Sequence, residues 1–359
     1  MHTSAYVGRF PELRLTDRPR VGGKGASLGE LTFAGAPVPP GFVVTTDAFE
    51  AFLRAVDAAG EIRAEIESFD AGQTGPIAEA AARIRRRIEA EPLPQDVADA
   101  VVCSYRELDS ESDMPGEATP VAVRSSATSE DAEDASFAGL QDTYLWVRGA
   151  QSLLEHVRSC WASLYSLESV SYRRRLRLPE HDLAMAVVVQ RMIDPRCAGV
   201  MFTRSPLNGD RSVVCVDASW GLGSAVVSGE VTPDSFVVSK VTGEVAKRFI
   251  ATKCTWHKPD PQGSGVVDRD VPGELQDIPS ISAEELAELV ATARRVEAHY
   301  GSPQDIEWAI DDAGEVFLLQ SRPETVWAEK DAAAAPMATP AARPFDHVFN
   351  VLGGKKQGA

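Results

Sequence analysis

The chain has few cysteines, short apolar runs and no leader-like start. Its 359 residues include five cysteines, an odd number, widely spaced and without a C-x-x-C pair, so neither a disulfide framework nor a zinc knuckle is predicted. Apolar runs such as AMAVVV are far shorter than a membrane span. The N-terminal MHTSAYVGRF lacks the apolar core of a signal peptide. We therefore expect a protein of a reducing compartment, the cytoplasm, without membrane association.

Positive charge is also scarce. Lysine and arginine number 36 against 53 aspartates and glutamates, which gives a net charge of -17. Such a surface repels a polyanion, so nucleic acid is excluded as an expected partner. A single nucleotide needs only a few cations at one site and stays compatible with this charge. With 44% hydrophobic and 25% charged residues, the composition is that of a globular protein.

The sequence pattern changes twice along the chain. A helical pattern from Ala26, a proline-rich turn, the strand FVVTT and several amphipathic helices reach to about residue 110. From Pro120 strands dominate, interrupted by one long helix over about 150–177, and a later helix has a capping box at Ser282. This order predicts an α+β fold with mixed sheets. Beyond Glu329 an Ala/Pro-rich linker precedes an apolar cluster at 345–352.

The stretch RVGGKGASLGEL surrounds Lys24 with glycines near the start of the chain. It is not a Walker A loop, because Lys24 is followed by Gly25 and Arg18 stands where the first glycine is required. It also misses the G-x-G-x-x-G dinucleotide pattern by one residue, at Leu28. Glycines of this kind allow the backbone to approach an anion. A structural glycine turn explains them equally well.

Arg124 ends an apolar strand in VAVRSSATSEDAEDASFAGLQDTYLWV. An arginine at a strand end usually forms a surface ion pair. Here the hydroxyl-rich segment after it and the loop around Gly139 are long enough to lie over a triphosphate. Backbone donors and hydroxyls beside a guanidinium favour an anion site.

The segment QDIEWAIDDAGEVFLLQSRP alternates strictly between polar and apolar residues. Alternation places Asp305 and Glu307 on one strand face, and a turn after them sends the chain back with Gln320 and Arg322 on one face. If the two faces coincide, two carboxylates, an amide and a guanidinium meet. Magnesium takes such oxygen ligands, and arginine supports a transferring phosphoryl group. An exposed hairpin with a salt bridge is the alternative, since the sequence leaves the register open.

Together, ten stretches in order over about residues 20–326 resemble the phosphoenolpyruvate synthase and pyruvate phosphate dikinase family, which includes rifampin phosphotransferase and phenylphosphate synthase. The stretches are VGGKGASLGEL, VPPGFVVT, VAVRSSATSED, SFAGLQDT, VVVQRMI, AGVMFTRSP, WGLG, VSGEVTPD, DIEWAI and LLQSRPET. The resemblance implies a two-lobed α+β ATP-grasp fold with ATP between the lobes. It places the N-terminal lobe at 1–189 with a helical insertion at about 47–110, the C-terminal lobe at 190–329, and a linker with a candidate docking tail at 330–359.

The resemblance also implies a role for each matching residue, with ATP and Mg²⁺ as cofactors. Lys24 and Arg124 would contact the phosphates, and Arg322 would stabilise the transferring phosphoryl group, which makes these three the catalytic candidates. The other implied contacts are a loop over the phosphates (Gly139, Leu140, Gln141, Thr143), an adenine hinge (Gln190, Met192), and the magnesium ligands Glu307 and Gln320 with Asp305 as a weaker addition.

Two features depart from the family pattern. The family cleaves ATP to AMP and passes a phosphoryl group to a histidine in a T-S-H-A motif on a swivelling domain, yet none of the six histidines has that context. The family also commonly has glutamate where this chain has Ser224. We therefore expect the ATP-binding subunit of a split phosphotransferase, similar to that of phenylphosphate synthase, whose partner subunit carries the histidine and the acceptor site.

The final acceptor is left open, with a phenol and pyruvate as candidates. Two other functions remain alternatives. A stand-alone ATP-grasp ligase would activate a carboxylate and release ADP instead of AMP. A non-catalytic nucleotide-binding regulator would bind ATP without turnover, with Ser224 as a mark of lost activity, although it would not need the full set of phosphoryl-transfer residues.

Overall fold

The computed structural model describes residues 5–70, 72–110, 118–128, 131–132, 135–136, 142–180, 183–261, 263, 265–325 and 327. The chain divides into two compact units, Met1–Pro323 and Glu324–Ala359. In the second unit the backbone N–H of Trp327 donates to the Glu324 carboxylate at 3.0 Å. The apolar cluster at 345–352 and the rest of the expected linker and tail at 330–359 lie outside the described residues.

The strands follow the alternating segments of the sequence closely. They are β1 (Val7–Arg9), β2 (Gly41–Val44), β3 (Val121–Ala127), β4 (Asp131–Ala132), β5 (Ala135–Ser136), β6 (Thr143–Val147), β7 (Met185–Arg191), β8 (Cys197–Phe202), β9 (Val213–Trp220), β10 (Asp234–Ser239), β11 (Val245–Phe249), β12 (Thr255–Pro259), β13 (Val266–Asp270), β14 (Gln304–Ile310) and β15 (Val316–Pro323).

Among the described residues, five helices lie in the predicted helical part before about residue 110, and five lie later, between the strands. They are α1 (Arg18–Phe33), α2 (Thr46–Val56), α3 (Glu61–Glu67), α4 (Thr74–Ala90), α5 (Gln95–Ser110), α6 (Ala150–Ser163), α7 (Leu167–Leu176), α8 (Ser224–Val227), α9 (Gly273–Gln276) and α10 (Ala283–Tyr300), with 3₁₀ turns at Phe10–Glu12 and Leu15–Asp17. No helix in the described part of the chain is long and apolar enough to span a bilayer.

Two larger sheets organise the first unit. One has the strand order β1-β2-β7-β3-β6, the other the order β11-β10-β9-β8-β14-β15, and β12-β13 and β4-β5 form two small ribbons. Every strand pair in the described ranges is antiparallel. The α+β class is confirmed, whereas the expectation of mixed sheets is wrong, because neighbouring strands run in opposite directions even where long connections join them.

Three apolar clusters hold these layers together. One face of the five-stranded sheet packs on α2, α4, α5 and α6, and its centre contains the fully buried Trp161. The other face packs on α1 through Val21, Ala26 and Leu28. The six-stranded sheet buries one face against α10 around Trp308. The opposite face of this sheet carries polar residues. Helix α1 lies close to both sheets, and its Ser27 hydroxyl donates to the carbonyl of Ser321 in β15.

Two helix boundaries differ from the expectations, and a third agrees with them. The expected helix over 150–177 is two helices, because Ser166 caps α7 by accepting a hydrogen bond from the N–H of Ser169 at 3.1 Å. The first helix begins at Arg18 and not at Ala26, since it continues through a kink at Gly22. The capping box at Ser282 is confirmed, with reciprocal bonds to Glu285.

Candidate functional site

The hairpin of β14 and β15 has the register that the polar cluster requires. Glu307 pairs directly with Gln320, and Asp305 with Arg322. Arg322 donates from Nε and Nη2 to Asp305 Oδ2 at 2.8 and 2.7 Å. The sequence left this register open, and the structure shows that the two polar faces coincide on the side of the sheet opposite the buried Trp308.

A β-bulge beside Glu307 shapes this hairpin. The pairing register shifts between Glu307 and Trp308, so that Leu319 stands between two ladder pairs. A bulged residue leaves the regular ladder and turns its backbone groups to other partners. The carbonyl oxygen of Leu319 accepts a hydrogen bond from Arg124 Nη1 at 3.3 Å. The bulge therefore supplies an acceptor at the point where the other sheet approaches.

Arg124 connects the two sheets. It lies on β3 of the five-stranded sheet, yet its Nη2 donates to Glu307 Oε2 at 3.0 Å and to Gln320 Oε1 at 2.6 Å on the six-stranded sheet. The side chains of Arg124 and Glu307 are 11% and 27% exposed, so the pair is shielded but not closed off. Arg124 Nε is buried and has no hydrogen-bond partner among the described residues. A buried donor without a partner is uncommon and calls for an explanation.

The glycines around Lys24 fit α1 against β3. At Gly22, φ is +69°, and a Cβ there would lie 2.1 Å from the carbonyl oxygen of Ser126. The Ser126 hydroxyl donates to Val21 O at 2.9 Å and accepts from the N–H of Gly25 at 3.2 Å. Only glycine permits this approach and this φ. The turn carrying Lys24 is thereby held beside the strand that carries Arg124, two residues before Ser126.

Three further predicted residues belong to the same sheet or its edge. Thr143 on β6 is the direct pair of Arg124, so the two share a sheet face. Gln190 on β7 is buried and donates from Nε2 to Pro39 O at 3.3 Å. The backbone N–H of Met192 donates to Pro120 O at 2.9 Å, so this N–H is engaged within the protein. Gly139, Leu140 and Gln141 lie outside the described residues, and the loop over the phosphates stays a prediction.

Sequence reasoning missed Asp217, which lies in the row of Glu307. On the six-stranded sheet, Glu307 pairs with Val200 and Val200 with Asp217, while Ser235 follows next in the row. Burial raises the pKa of the Asp217 carboxyl, and a hydrogen bond from the Ser235 hydroxyl opposes part of that rise. The alternation of VVCVDAS was the available signal, since it puts one acidic residue on an otherwise apolar strand.

The described histidines are His156, His257 and His299, and each is held by a neighbour. His156 Nδ1 lies 2.7 Å from Ser152 O, and His299 Nε2 lies 2.7 Å from a carboxylate oxygen of Glu30. His257 contacts Ser224, the residue that departs from the family pattern, at 2.7 Å. Each of these three therefore has a local structural partner.

Most of the chain is similar to a known protein family. The family model described as "Pyruvate phosphate dikinase, AMP/ATP-binding domain" matches residues 18–342. The chain belongs to this family. The resemblance to this family and the α+β ATP-grasp class are thereby confirmed, and the description of the family names AMP and ATP as the nucleotides that this domain binds.

Three curated relatives show how far the similarity extends. The chain is 42% identical to a probable phosphoenolpyruvate synthase of Methanothermobacter thermautotrophicus, over 90% of the chain and 46% of the relative. It is 45% identical to a rifampicin phosphotransferase of Streptomyces sp., over 85% of the chain and 34% of the relative. It is 40% identical to a phosphoenolpyruvate synthase of Aeropyrum pernix, over 89% and 42%. The chain therefore spans less than half the length of these relatives.

Proposed function

We propose that this chain is the ATP-binding catalytic subunit of a dikinase-type phosphotransferase. ATP is cleaved to AMP, one phosphoryl group passes to a histidine on a partner subunit, and the partner transfers it to a small acceptor such as pyruvate or a phenol. The observation that carries the proposal is the contact of Arg124 with Glu307 and Gln320 across the two sheets. Residues of one sheet alone would not build a site that encloses a triphosphate.

The magnesium ligands of the proposal are Glu307 and Gln320. In the structure both oxygens accept from Arg124 Nη2, at 3.0 and 2.6 Å, so they lie side by side, and a bound ion would take these oxygens over from the guanidinium. A carboxylate and an amide oxygen suit Mg²⁺, which completes its shell with phosphate oxygens and water. When bound, the ion would neutralise charge on the β- and γ-phosphates.

The cationic side chains would act on the phosphates from both sides. Arg124 lies on β3, and Lys24 lies on α1, the helix that packs on the same sheet. Arg322 lies two residues beyond Gln320 on β15 and is held by Asp305. Thus two fixed guanidinium groups flank the magnesium ligands, an arrangement that stabilises charge developing on a transferring phosphoryl group. Gln190 and Met192 are proposed to line the adenine end of the same sheet face.

A partner is part of the proposal because no described histidine lies in a carrier context. The chain spans less than half of its curated relatives, which leaves room in them for other domains. We propose that the carrier histidine and the acceptor site belong to a separately encoded subunit. We also retain the division into lobes at 1–189 and 190–329 as a proposal, with ATP between them.

The fate of labelled ATP tests this function. The full chain is incubated with Mg²⁺, ATP labelled at the β-phosphorus, and the proteins that co-purify with it. We expect AMP, inorganic phosphate and an acid-labile label on a histidine of one co-purifying protein, abolished by Arg322→Ala while ATP binding persists. ADP as the nucleotide product would favour a ligase instead, and label on a small molecule with this chain alone would contradict a partner histidine.

A further inference from the structure

A second polar cluster lies on the β12–β13 ribbon, apart from the residues of the proposed ATP site. His257 on β12 pairs directly with Asp268 on β13. His257 Nε2 lies 2.8 Å from Glu230 Oε2 and 3.3 Å from Asp268 Oδ1. One ligand atom from each of the three side chains lies within 4.8 Å of the other two. An imidazole nitrogen and two carboxylate oxygens thus converge on one point.

The imidazole of His257 is fixed from behind. Its other ring nitrogen, Nδ1, lies 2.7 Å from the Ser224 hydroxyl. The backbone carbonyl of His257 accepts from the N–H of Leu222 at 3.1 Å, and a Cβ on Gly221 would lie 2.6 Å from that same oxygen. The histidine side chain is 12% exposed, while those of Glu230 and Asp268 are 59% and 73% exposed. A rigid imidazole therefore faces two carboxylates that are free to adjust from solvent.

We propose that Glu230, His257 and Asp268 bind a divalent cation of the Zn²⁺ class. Imidazole nitrogen and carboxylate oxygen are both ligands of such ions, and three protein ligands leave the fourth position open to water. A metal on Nε2 requires the proton on Nδ1, and Ser224 Oγ is placed to accept it, which is the usual support of a metal-bound histidine. Serine at position 224 is then a positioning residue for a new site and not merely a lost glutamate.

A bound cation would join three separate segments of the chain. Glu230 follows α8, and His257 and Asp268 lie on the two strands of the ribbon. Because a ligand that binds only the folded state raises stability, the cation would raise the unfolding temperature. The site shares no residue with Arg124, Glu307 or Gln320, so this inference stands independently of the proposed function.

The alternative is that the three side chains are joined by hydrogen bonds alone, without an ion. His299 offers a matched control, because its Nε2 contacts a single carboxylate, that of Glu30, at 2.7 Å. A hydrogen bond from the imidazole needs only one carboxylate, whereas a bound cation needs the second carboxylate as a further ligand. His299→Gln should therefore leave metal binding intact, while His257→Gln removes it.

The test is a titration of the metal-stripped full chain with Zn²⁺ in competition with a chromophoric chelator, repeated with Co²⁺. We expect one cation per chain in the wild type and in His299→Gln, none at this affinity in His257→Gln, and affinity about 10–100-fold weaker in Ser224→Ala. The Co²⁺ spectrum should lack the charge-transfer band of thiolate ligation, which separates this site from the exposed cysteines. Binding should also raise the unfolding temperature of the wild type.

Two results would overturn the proposal. The first is equal stoichiometry and affinity in the wild type and His257→Gln, which would place the metal elsewhere. The second is that the wild type binds no Zn²⁺ at micromolar concentration, which would mean that hydrogen bonds alone join the three side chains. Circular dichroism of the metal-free variants controls for folding, and Glu230→Gln provides a second variant at the exposed edge of the site, where folding is least disturbed.

Discussion

Two charged clusters of this protein differ in how deeply their side chains are buried and in how completely their polar atoms are hydrogen-bonded. Lys253 and Asp234 form a fully buried ion pair at 2.7 Å. Both Asp234 oxygens are saturated, one by Lys253 and the N–H of Ala251, the other by the N–H and hydroxyl of Ser280. The Arg124 cluster is partly exposed and keeps a guanidinium nitrogen without a partner. The saturated cluster has nothing left to bind, so its role is folding, whereas the partly exposed Arg124 cluster can still be reached by a ligand from solvent.

The largest predicted effect is on the saturated cluster. Lys253→Met leaves Asp234 as a buried carboxylate without its cation, and we expect the free energy of unfolding to fall by about 3–5 kcal/mol. Urea unfolding measures it. Lys240→Met is the matched control, since Lys240 pairs with Glu297 at the less buried end of α10, and its loss should be about 1 kcal/mol. An equal loss of unfolding free energy in the two variants would contradict the distinction between the fully buried ion pair and the partly exposed one.

The next effect concerns the contact that holds α1, the helix of Lys24, against β3. Gly22→Ala adds a Cβ 2.1 Å from Ser126 O at a φ of +69°, and we expect a loss of at least about 2 kcal/mol in unfolding free energy together with weaker ATP binding. Gly35→Ala is the control, because Gly35 has φ +72° but open space around its Cβ, and should cost only about 1 kcal/mol. If Gly22→Ala behaves like Gly35→Ala, the close approach to β3 is unimportant.

A third prediction separates the binding of Mg²⁺ from the binding of the nucleotide itself. Glu307→Gln removes the carboxylate charge of the proposed metal site, so the gain in ATP affinity on adding Mg²⁺ should fall about tenfold, or about 1.4 kcal/mol. ATP binding without Mg²⁺ should be retained, since Arg124 loses a competing anion. Calorimetric titration with and without Mg²⁺ measures both. An exposed carboxylate on the β10–β11 turn, changed in Glu244→Gln, should have no effect, and a wild-type Mg²⁺ response in Glu307→Gln would refute the assignment.

The smallest effect tests Asp217. Its pKa is raised by burial, so the folded state holds this proton more tightly than the unfolded state. Stability from this group is therefore full below the ordinary carboxyl pKa and is lost as pH rises through the folded pKa. Asp217→Asn should stabilise the protein at pH 7 by a few tenths of a kcal/mol, about the scale of a solvent-screened charge, and by nothing at pH 3. Thermal unfolding across pH would contradict this if the variant were less stable at pH 7.

How much of the structure could be predicted from the sequence depends on how far apart in the chain the interacting residues lie. Alternation and the Asp311–Gly314 turn sufficed for the β14–β15 hairpin, since a period of two is a local property. The bulge at Leu319 and the reach of Arg124 to the second sheet depend on tertiary packing, which no local pattern encodes. The break at Ser166 was missed because the helical periodicity of its neighbours concealed a cap.

The same reasoning explains what was seen and missed around the glycines. The sequence predicted that these glycines serve either a close approach to an anion or a structural turn. The group that they approach is Ser126 on β3, 101 residues after Gly25. Likewise the His257 cluster combines residues from three segments, none of which forms a recognisable motif alone.

The central claim is that the unsaturated Arg124 cluster receives the phosphates of ATP. The most direct measurement is calorimetric titration of Mg²⁺-ATP into the wild type and Arg124→Gln, with urea unfolding of both. We predict that Arg124→Gln weakens ATP binding at least about tenfold, or about 1.4 kcal/mol, while losing less stability than Lys253→Met. Unchanged ATP affinity in a folded Arg124→Gln protein would contradict the account.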